Sequence, residues 1–367
     1  MKVLVLGFTK ISYMPYMHFY LEQLKNNNCE IHLLYWKRDS NPDSESPDGI
    51  VTHVFERYQE DTVPLRNKIG SFLGYRKYAL QILRNNDFDL IVVLHSTPGV
   101  LLFDVLSKKY KEKYILDYRD FTYENIKIYR KIIHKLVNGS VATFVSSDAY
   151  RKNLPQGNRL YTSHNIIMKS IENKEIRRLK SRDSKPIIIR FWGFIRHETI
   201  NIEIIRRLAN DKRFELHYHG REQKTGEILK DFCGKNKVEN VYFHGEYKPD
   251  DRFSFIKNTD LIHNIYENDI KTINAMGNKY YDGTTFYLPQ ITNKGSFMGE
   301  QVSRNGIGIM LDPNSLNFAD EIWDYYKSIN WDTFNTSCDD TLNNIIMQYN
   351  DGVNMIEKII IDGKKDN

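Results

Sequence analysis

One alternation runs through the sequence twice: a short β-branched run ends at a turn, a stretch with apolar residues at helical spacing follows, and another apolar run comes after it. Residues 2–6 (KVLVL) end at Gly7, helical spacing covers 13–24, and a second apolar run covers 30–35. The pattern returns with runs at 90–94, 114–116 and 143–145, separated by helical stretches near 99–109 and 125–137. In the second half, runs at 187–191, 214–218, 241–244 and 261–265 frame helices near 201–209 and 227–233. Strands that alternate with helices predict a parallel sheet covered on both faces. The chain is therefore expected to be α/β, with two doubly wound, Rossmann-like domains.

Between them, residues 168–186 (MKSIENKEIRRLKSRDSKP) lose apolar periodicity and become densely charged, as a solvated connection would. The expected domains are 1–167 and 187–330, followed by a helical segment at 331–367. Helical stretches at 318–329 and 342–361 are expected to pack back toward the first domain. A length of 367 residues suits two cores of ordinary size. Two facing domains of this kind imply a cleft at the carboxyl ends of their strands, where function is to be sought.

Bulk properties exclude several classes. No apolar stretch approaches the length that crosses a bilayer. Met1 leads straight into an apolar strand without a hydrophobic leader, so the expected location is the cytoplasm, including the inner face of the cell membrane. Cys29, Cys233 and Cys338 have neither an even count nor CxxC spacing, which points to reduced thiols rather than disulfides or zinc. A net charge of +5, with cations interleaved among carboxylates, gives no nucleic-acid signature. Ile126, Tyr129, Ile133, Leu136 and Val137 form an apolar stripe beside Lys127, Arg130, Lys131 and Lys135. The stripe suits either a membrane surface or burial against the sheet, and a doubly wound domain favours burial.

The loops after the strands carry the chemistry. Gly7-Phe8-Thr9-Lys10 lacks the GxGxxG of dinucleotide binding, and no GxxxxGK[ST] occurs anywhere. In Arg190-Phe191-Trp192-Gly193-Phe194-Ile195-Arg196-His197-Glu198 a glycine and then a cation lie just past a strand. Gly193 permits close backbone approach to a phosphate and Arg196 offers a guanidinium fork, although Arg196 would equally serve a surface carboxylate. His219-Gly220-Arg221 and His244-Gly245-Glu246 end two further strands in glycine. Single histidines usually cap or pack, so the repeated strand-glycine endings are the stronger signal. The densest constellation is Asn274-Ala275-Met276-Gly277-Asn278-Lys279-Tyr280-Tyr281-Asp282-Gly283, running on to Leu288-Pro289.

With these residues in view, the region from 187 to 313 resembles the family-four retaining glycosyltransferases of the GT-B fold, especially those that build bacterial capsule, lipopolysaccharide or exopolysaccharide. The family's glycine turn with a nearby cation is matched by Gly193 and Arg196, and its next short glycine turn by Gly220. NVYFHGEY (240–247) is similar to the family's strand-glycine segment near the nucleotide base, and NTDLIHNIY (258–266) to the strand before the sugar loop. The family then places two glutamates eight positions apart; here Asn274 and Asp282 hold those places. The resemblance implies that Asp282 accepts from ribose hydroxyls, that Gly277 approaches the donor sugar or phosphate, and that Lys279 meets the diphosphate. Arg221, His244 and Gly245 fall on the nucleotide side. Asn274 can still bind a sugar hydroxyl but brings no charge. In the first domain Gly7 and Thr9, His95-Ser96 after LIVVLHS, Asp117, Arg119 and Asp120 in ILDYRD, and VSSDAYRKNLP before SHN resemble acceptor-side landmarks. Asp120 or His95 would orient an acceptor hydroxyl, or else act as loop cap and surface ion-pair partner.

The implied chemistry is transfer of a sugar from a nucleoside diphosphate, UDP-linked by preference, to a saccharide or lipid-linked acceptor. Arg196 and Lys279 with helix amino termini would neutralise the departing phosphate, each supplying on the order of several kcal/mol in a closed site. No DxD pair stands in a suitable loop; Asp250-Asp251 and Asp339-Asp340 read as solvated turns, and neither metal nor other cofactor is expected. Retention follows from the resemblance alone, and closure about the interdomain connection would exclude water. Two rivals stay open: a GT-B nucleotide-sugar epimerase or hydrolase, and a non-catalytic partner of an active transferase.

Overall fold

The computed structural model describes residues 1–39, 43, 46–59, 64–157, 159–174, 186–248 and 251–365, which form two units. The first comprises Met1–His164 and Ile346–Asn367, the second Asn165–Ile345. The connection expected at 168–186 lies in large part outside the described residues; Met168–Asn173 is a short 3-10 turn.

In the first unit the strands are β1 (Lys2–Leu6), β2 (Glu30–Lys37), β3 (Ile50–Glu56), β4 (Leu90–Leu94), β5 (Tyr114–Tyr118), β6 (Ala142–Val145) and β7 (Leu160–Thr162). Helices α1 (His18–Asn26), α2 (Leu65–Asn85), α3 (Ser96–Leu101), α4 (Phe103–Leu106) and α5 (Lys127–Gly139) join them. All pairings are parallel and the order is β3-β2-β1-β4-β5-β6-β7, so chain direction across the sheet reverses between β1 and β4. Strands β1 and β4 are buried on both faces, which is why they read as unbroken apolar runs.

Each face of this sheet has its own core. On one, Leu4, Leu6, Ile91, Val93 and Leu116 meet Tyr75 and Ala79 of α2, Leu102, Leu106, and Ile133 and Leu136 of α5. On the other, Val3, Val5, Val92 and Ile115 meet Phe19 and Leu21 of α1 and three isoleucines from the chain end, Ile356, Ile359 and Ile360. The apolar stripe of α5 is therefore turned inward: Tyr129, Ile133, Leu136 and Val137 are buried, and Ile126 alone of the five is exposed.

The second unit holds β8 (Ile187–Trp192), β9 (Phe214–His219), β10 (Val241–Phe243), β11 (Leu261–His263), β12 (Gln290–Asn293) and β13 (Gly308–Leu311). Its helices are α6 (Glu198–Leu208), α7 (Gln223–Lys235), α8 (Arg252–Ile256), α9 (Asn278–Thr285), α10 (Phe297–Arg304) and α11 (Phe318–Ser328). The order β10-β9-β8-β11-β12-β13 repeats the first topology, with the reversal between β8 and β11. The last helix, α12 (Trp331–Lys365), begins in the second unit and ends in the first.

Several expectations need adjustment. The helix expected at 13–24 is delayed to His18 by two 3-10 turns, the second opened by Pro15, whose fixed φ and missing N–H suit a first turn. Asp339-Asp340 is not a turn: it lies within α12, where Asp339 accepts from the Tyr287 hydroxyl at 2.6 Å and pairs with Lys174 at 3.3 Å. Asp250 lies outside the described residues, and Asp251 accepts from the backbone N–H of Lys248. Cys29, Cys233 and Cys338 are free thiols. No described helix is long and apolar enough to cross a membrane.

Leu116 of β5 has no exposed surface and belongs to the core that α5 closes, so Leu116→Ala should cost about 2–5 kcal/mol, read as a lowered denaturant midpoint with an unchanged slope.

Candidate functional site

In the second sheet the strand order reverses beside β8, and open α/β sheets bind ligands outside the carboxyl end at that point. Three glycines end the three neighbouring strands there: Gly193 (φ 124°), Gly220 (φ 136°) and Gly245 (φ 74°). The turns are locked to one another. The N–H of Gly193 donates to the carbonyl of His219 at 2.9 Å, and that of Gly220 to the carbonyl of Gly245 at 2.6 Å. A Cβ at Gly220 would lie 1.8 Å from the Gly193 carbonyl oxygen, so no side chain fits.

Lys279, on the first turn of α9, reaches into this region and is only 5% exposed. Its Nζ donates to the Trp192 carbonyl at 3.3 Å and the Tyr266 hydroxyl at 2.5 Å, and lies 4.0 Å from the centre of the Phe191 ring. Among the described residues it forms no ion pair with a carboxylate, and Asp282 acts on it only at longer range. Ring faces and one carbonyl attract a cation but do not neutralise it. Around it stand Gly277 at the cap of α9, whose Cβ would meet the Tyr266 hydroxyl at 3.2 Å, and Asn264, whose buried Oδ1 has no hydrogen-bond partner.

Asp282, one turn further along α9, accepts from the Trp192 indole N–H at 2.9 Å and faces Arg252 at 3.3 Å. Burial raises its pKa, opposed by Arg252, Trp192 and Lys279. The carboxylate thus ties α9 to β8 and α8, and only lone pairs not taken by those partners remain for a ligand. Asn274 is half-buried in the turn before α9. Arg196 is exposed, its guanidinium 5.9 Å from the Phe194 ring, and Arg221 lies 4.3 Å from the same ring.

Next to Arg196, His197 takes a left-handed backbone (φ 67°) at the cap of α6. This is a strained choice for a residue with a Cβ and is typical of functional turns. Its Nδ1 lies 3.6 Å from Glu267, its Nε2 is buried without a partner, and burial together with Arg196 lowers its pKa.

His219 and His244, which the sequence offered as isolated caps, belong to a five-ring column. Tyr242, His217, His244, His219 and Phe255 stack at centroid spacings of 4.8, 5.2, 4.1 and 4.3 Å. Residues 217 and 219 of β9 alternate onto the same sheet face as 242 and 244, and that period of two is a signal present in HYH and YFH. Arg190 donates to His219 Nε2 at 2.6 Å, which fixes that ring as the Nδ1–H tautomer. Burial, then Arg190, pushes His217 down to about 4; burial, then His244 and Arg190, pushes His219 down to about 3.

In the first unit, the β1–β4 reversal point carries Gly7 and His95. The Gly7 carbonyl accepts from the Tyr75 hydroxyl at 2.8 Å, and Thr9 is half-buried beyond it. His95 has φ 85°; its Nδ1 accepts from the Thr97 N–H at 3.3 Å, its Nε2 lies 3.8 Å from the exposed Asp120, and burial lowers its pKa. Arg119 is turned inward, bonded to buried Asp117 at 3.0 Å and Ser163 at 2.8 Å, with its guanidinium 4.0 Å from the Tyr16 ring.

The structure thus gathers Gly193, Gly220, Gly277, Lys279 and Asp282 at one switch point, and Gly7 and His95 at the other. Trp192, Asn264, Tyr266, Arg252 and His197 had no role in the sequence reading; the left-handed turn of His197 and the long-range contacts of the others arise only on folding. Among the described residues no three His, Cys, Asp or Glu side chains are grouped to hold a metal ion.

No family model and no curated protein matches the sequence. Solved structures do match over the whole chain. A sucrose-phosphate synthase from Thermosynechococcus elongatus aligns with all of this chain and 98% of its own, at 10% identity and a TM-score of 0.66. Anabaena HepE, solved in complex with UDP-glucose, aligns over 100% of both chains at 12% identity and 0.64. A UDP-GlcNAc 2-epimerase from Neisseria meningitidis, bound to UDP-GlcNAc, aligns over 100% of both at 14% and 0.61.

The histidine column makes stability sensitive to acid. Both folded pKa values lie below the ordinary 6.5, so the unfolded chain binds more protons between them. Stability should hold above about pH 6.5 and fall as pH drops toward 4. Denaturant midpoints measured across that range check it, and His219→Gln should flatten the decline.

Proposed function

We propose that this chain, built on the GT-B fold from end to end, is a glycosyltransferase that takes a sugar from a nucleoside diphosphate donor held by its second unit. The observation that carries the reading is Lys279: a buried cation in no ion pair among the described residues, at the switch point of a parallel sheet, beside a glycine turn and a helix amino terminus. A diphosphate supplies the missing charge. Neighbours of the same fold were solved with UDP-glucose and UDP-GlcNAc, which supports a uridine donor.

In this reading Lys279 and Arg196 hold the pyrophosphate, with Gly193, Gly220 and Gly277 allowing its oxygens to reach backbone amides. Arg221, His244 and Gly245 lie toward the nucleoside, Asp282 toward the ribose, and Asn274 toward a donor hydroxyl. As the bond from the anomeric carbon to the β-phosphate oxygen breaks, the two cations stabilise the charge on the leaving group. The acceptor oxygen bonds to the anomeric carbon on the same face, and its proton passes to the departing phosphate. The configuration is retained, and no metal is assigned a role. Gly7, Thr9, His95, Arg119 and Asp120 are the acceptor-side residues, with Gly7 and His95 at the reversal point. A saccharide or lipid-linked saccharide of a bacterial surface polysaccharide is the proposed acceptor.

The epimerase neighbour keeps a second reading in play, since donor binding is common to both. Incubation with UDP-GlcNAc or UDP-glucose alone separates them: a transferase leaves the donor intact, and an epimerase or hydrolase converts it.

UDP and UDP-sugars should raise the melting temperature, because a ligand that binds only the folded state stabilises it by mass action. Lys279→Met, which retains length and drops charge, should weaken UDP binding at least about tenfold, near 1.4 kcal/mol, and Arg196→Ala should weaken it less. An unchanged UDP response in Lys279→Met removes the assignment.

A further inference from the structure

We propose that α12 carries a self-complementary face through which two copies of this chain associate, their first units joined about a two-fold axis beside Asn354. The part of α12 that belongs to the first unit begins at Ile346. Its inward side is fixed by Ile356, Ile359 and Ile360 in the sheet core and by Gly352, where a Cβ would lie 2.9 Å from the Phe19 ring and 3.1 Å from that of Phe144.

The opposite side is one stripe. Met347, Asp351, Asn354, Lys358 and Ile361 are all exposed, and their alternating spacings of four and three residues keep them on a single line of the helix. Met347 and Ile361 leave 55% and 48% of their surface in solvent. Asp351 and Lys358 form no ion pair among the described residues, and their separation exceeds the three- and four-residue spacings at which helix side chains meet. Asp362, one turn beyond Lys358, is taken by Lys365 at 3.5 Å.

A second, reversed copy of the stripe answers both charges at once. In an antiparallel pair centred at Asn354, Asp351 of one copy stands beside Lys358 of the other, and Met347 stands against Ile361 at both ends. At a rise of about 1.5 Å per residue, each of these pairs is level along the axis to within about 1 Å. Asn354 meets its own copy at the centre, where amides donate and accept in turn. A parallel pair would set Asp351 against Asp351 and Lys358 against Lys358, so charge selects the antiparallel form.

Four turns of paired helix make a small contact, and the structure provides for more beside it. A cleft of about 800 Å³ runs along the same helix, bounded on its other side by Asp148, Arg151, Leu160, Tyr161 and Thr162. That wall has its charges matched: Arg151 bonds to Asp148 at 2.8 Å, to the Leu160 carbonyl at 3.0 Å and to Thr162 at 3.0 Å. The bond to Leu160 also occupies a carbonyl on the outer edge of β7, which disfavours an added β-strand there and leaves a helix as the element that fits. A stripe of one carboxylate and one cation suits neither an anionic bilayer nor nucleic acid. The inference does not rest on the donor site.

The test is sedimentation equilibrium of the full chain between about 1 and 100 μM, where mass action populates a dimer of moderate affinity. The expected result is a rise from 43.5 kDa toward twice that mass. Asp351→Lys and Lys358→Asp, each alone, should raise the dissociation constant at least about tenfold, because both symmetry-related pairs become like-charged. Mixed in equal amounts, the two variants should pair with each other as tightly as the parent chain does, and so should the chain carrying both exchanges. Met347→Ser with Ile361→Ser should also weaken association, and every variant should keep the parent's melting temperature in the monomer. A chain that stays at 43.5 kDa throughout overturns the proposal. So does a dimer that ignores the single charge reversals, or single variants that fail to recover association when mixed.

Discussion

Parallel pairing obliges every strand of a sheet to deliver its following loop to the same rim, and a reversal of strand order leaves a gap there that no crossover helix fills. Everything distinctive in the second unit is arranged around that gap. The turns at Gly193, Gly220 and Gly245 are closed by main-chain bonds, Gly193 N–H to the His219 carbonyl and Gly220 N–H to the Gly245 carbonyl, which brings main chain rather than side chain to the surface. The helix that enters next to the gap carries Lys279, whose charge contacts a carbonyl, a hydroxyl and aromatic faces and forms no ion pair among the described residues. Such a cation is costly to bury, and the proposed diphosphate would offset that cost.

The same rim shows how charge and stiffness are divided. Asp282 faces inward to hold Trp192 and Arg252, so the carboxylate nearest Lys279 in sequence braces α9 rather than cancelling the cation. The ring column beside it stays uncharged at neutral pH through burial and Arg190, adding a rigid wall with no further positive charge.

Legibility followed burial. Strands β1, β4 and β8 lie at sheet centres, and their apolar runs announced them; β3, at an edge with only partial cover, did not stand out, and neither did α2, where only five of 21 residues are buried and aliphatics occupy its solvent side as well. Glycine turns were readable because few other residues fit a left-handed strand exit. Lys279 was readable as a cation in the right stretch, but its isolation was not, since Trp192 is 87 residues away and Tyr266 is 13. The roles of Arg252 and Asn264 depend on contacts that exist only after folding, and the histidines were read singly because stacking joins two strands.

The 35-residue helix α12 has a consequence for biosynthesis. Val3, Val5, Val92 and Ile115 are capped in part by Ile356, Ile359 and Ile360, so the first unit, though its strands are made before those of the second, lacks part of one wall until residues 356–360 leave the ribosome. The second unit is fully synthesised earlier. Vectorial synthesis therefore completes the later unit first, and the earlier one spends that interval with a bare apolar sheet face of the kind chaperones shield.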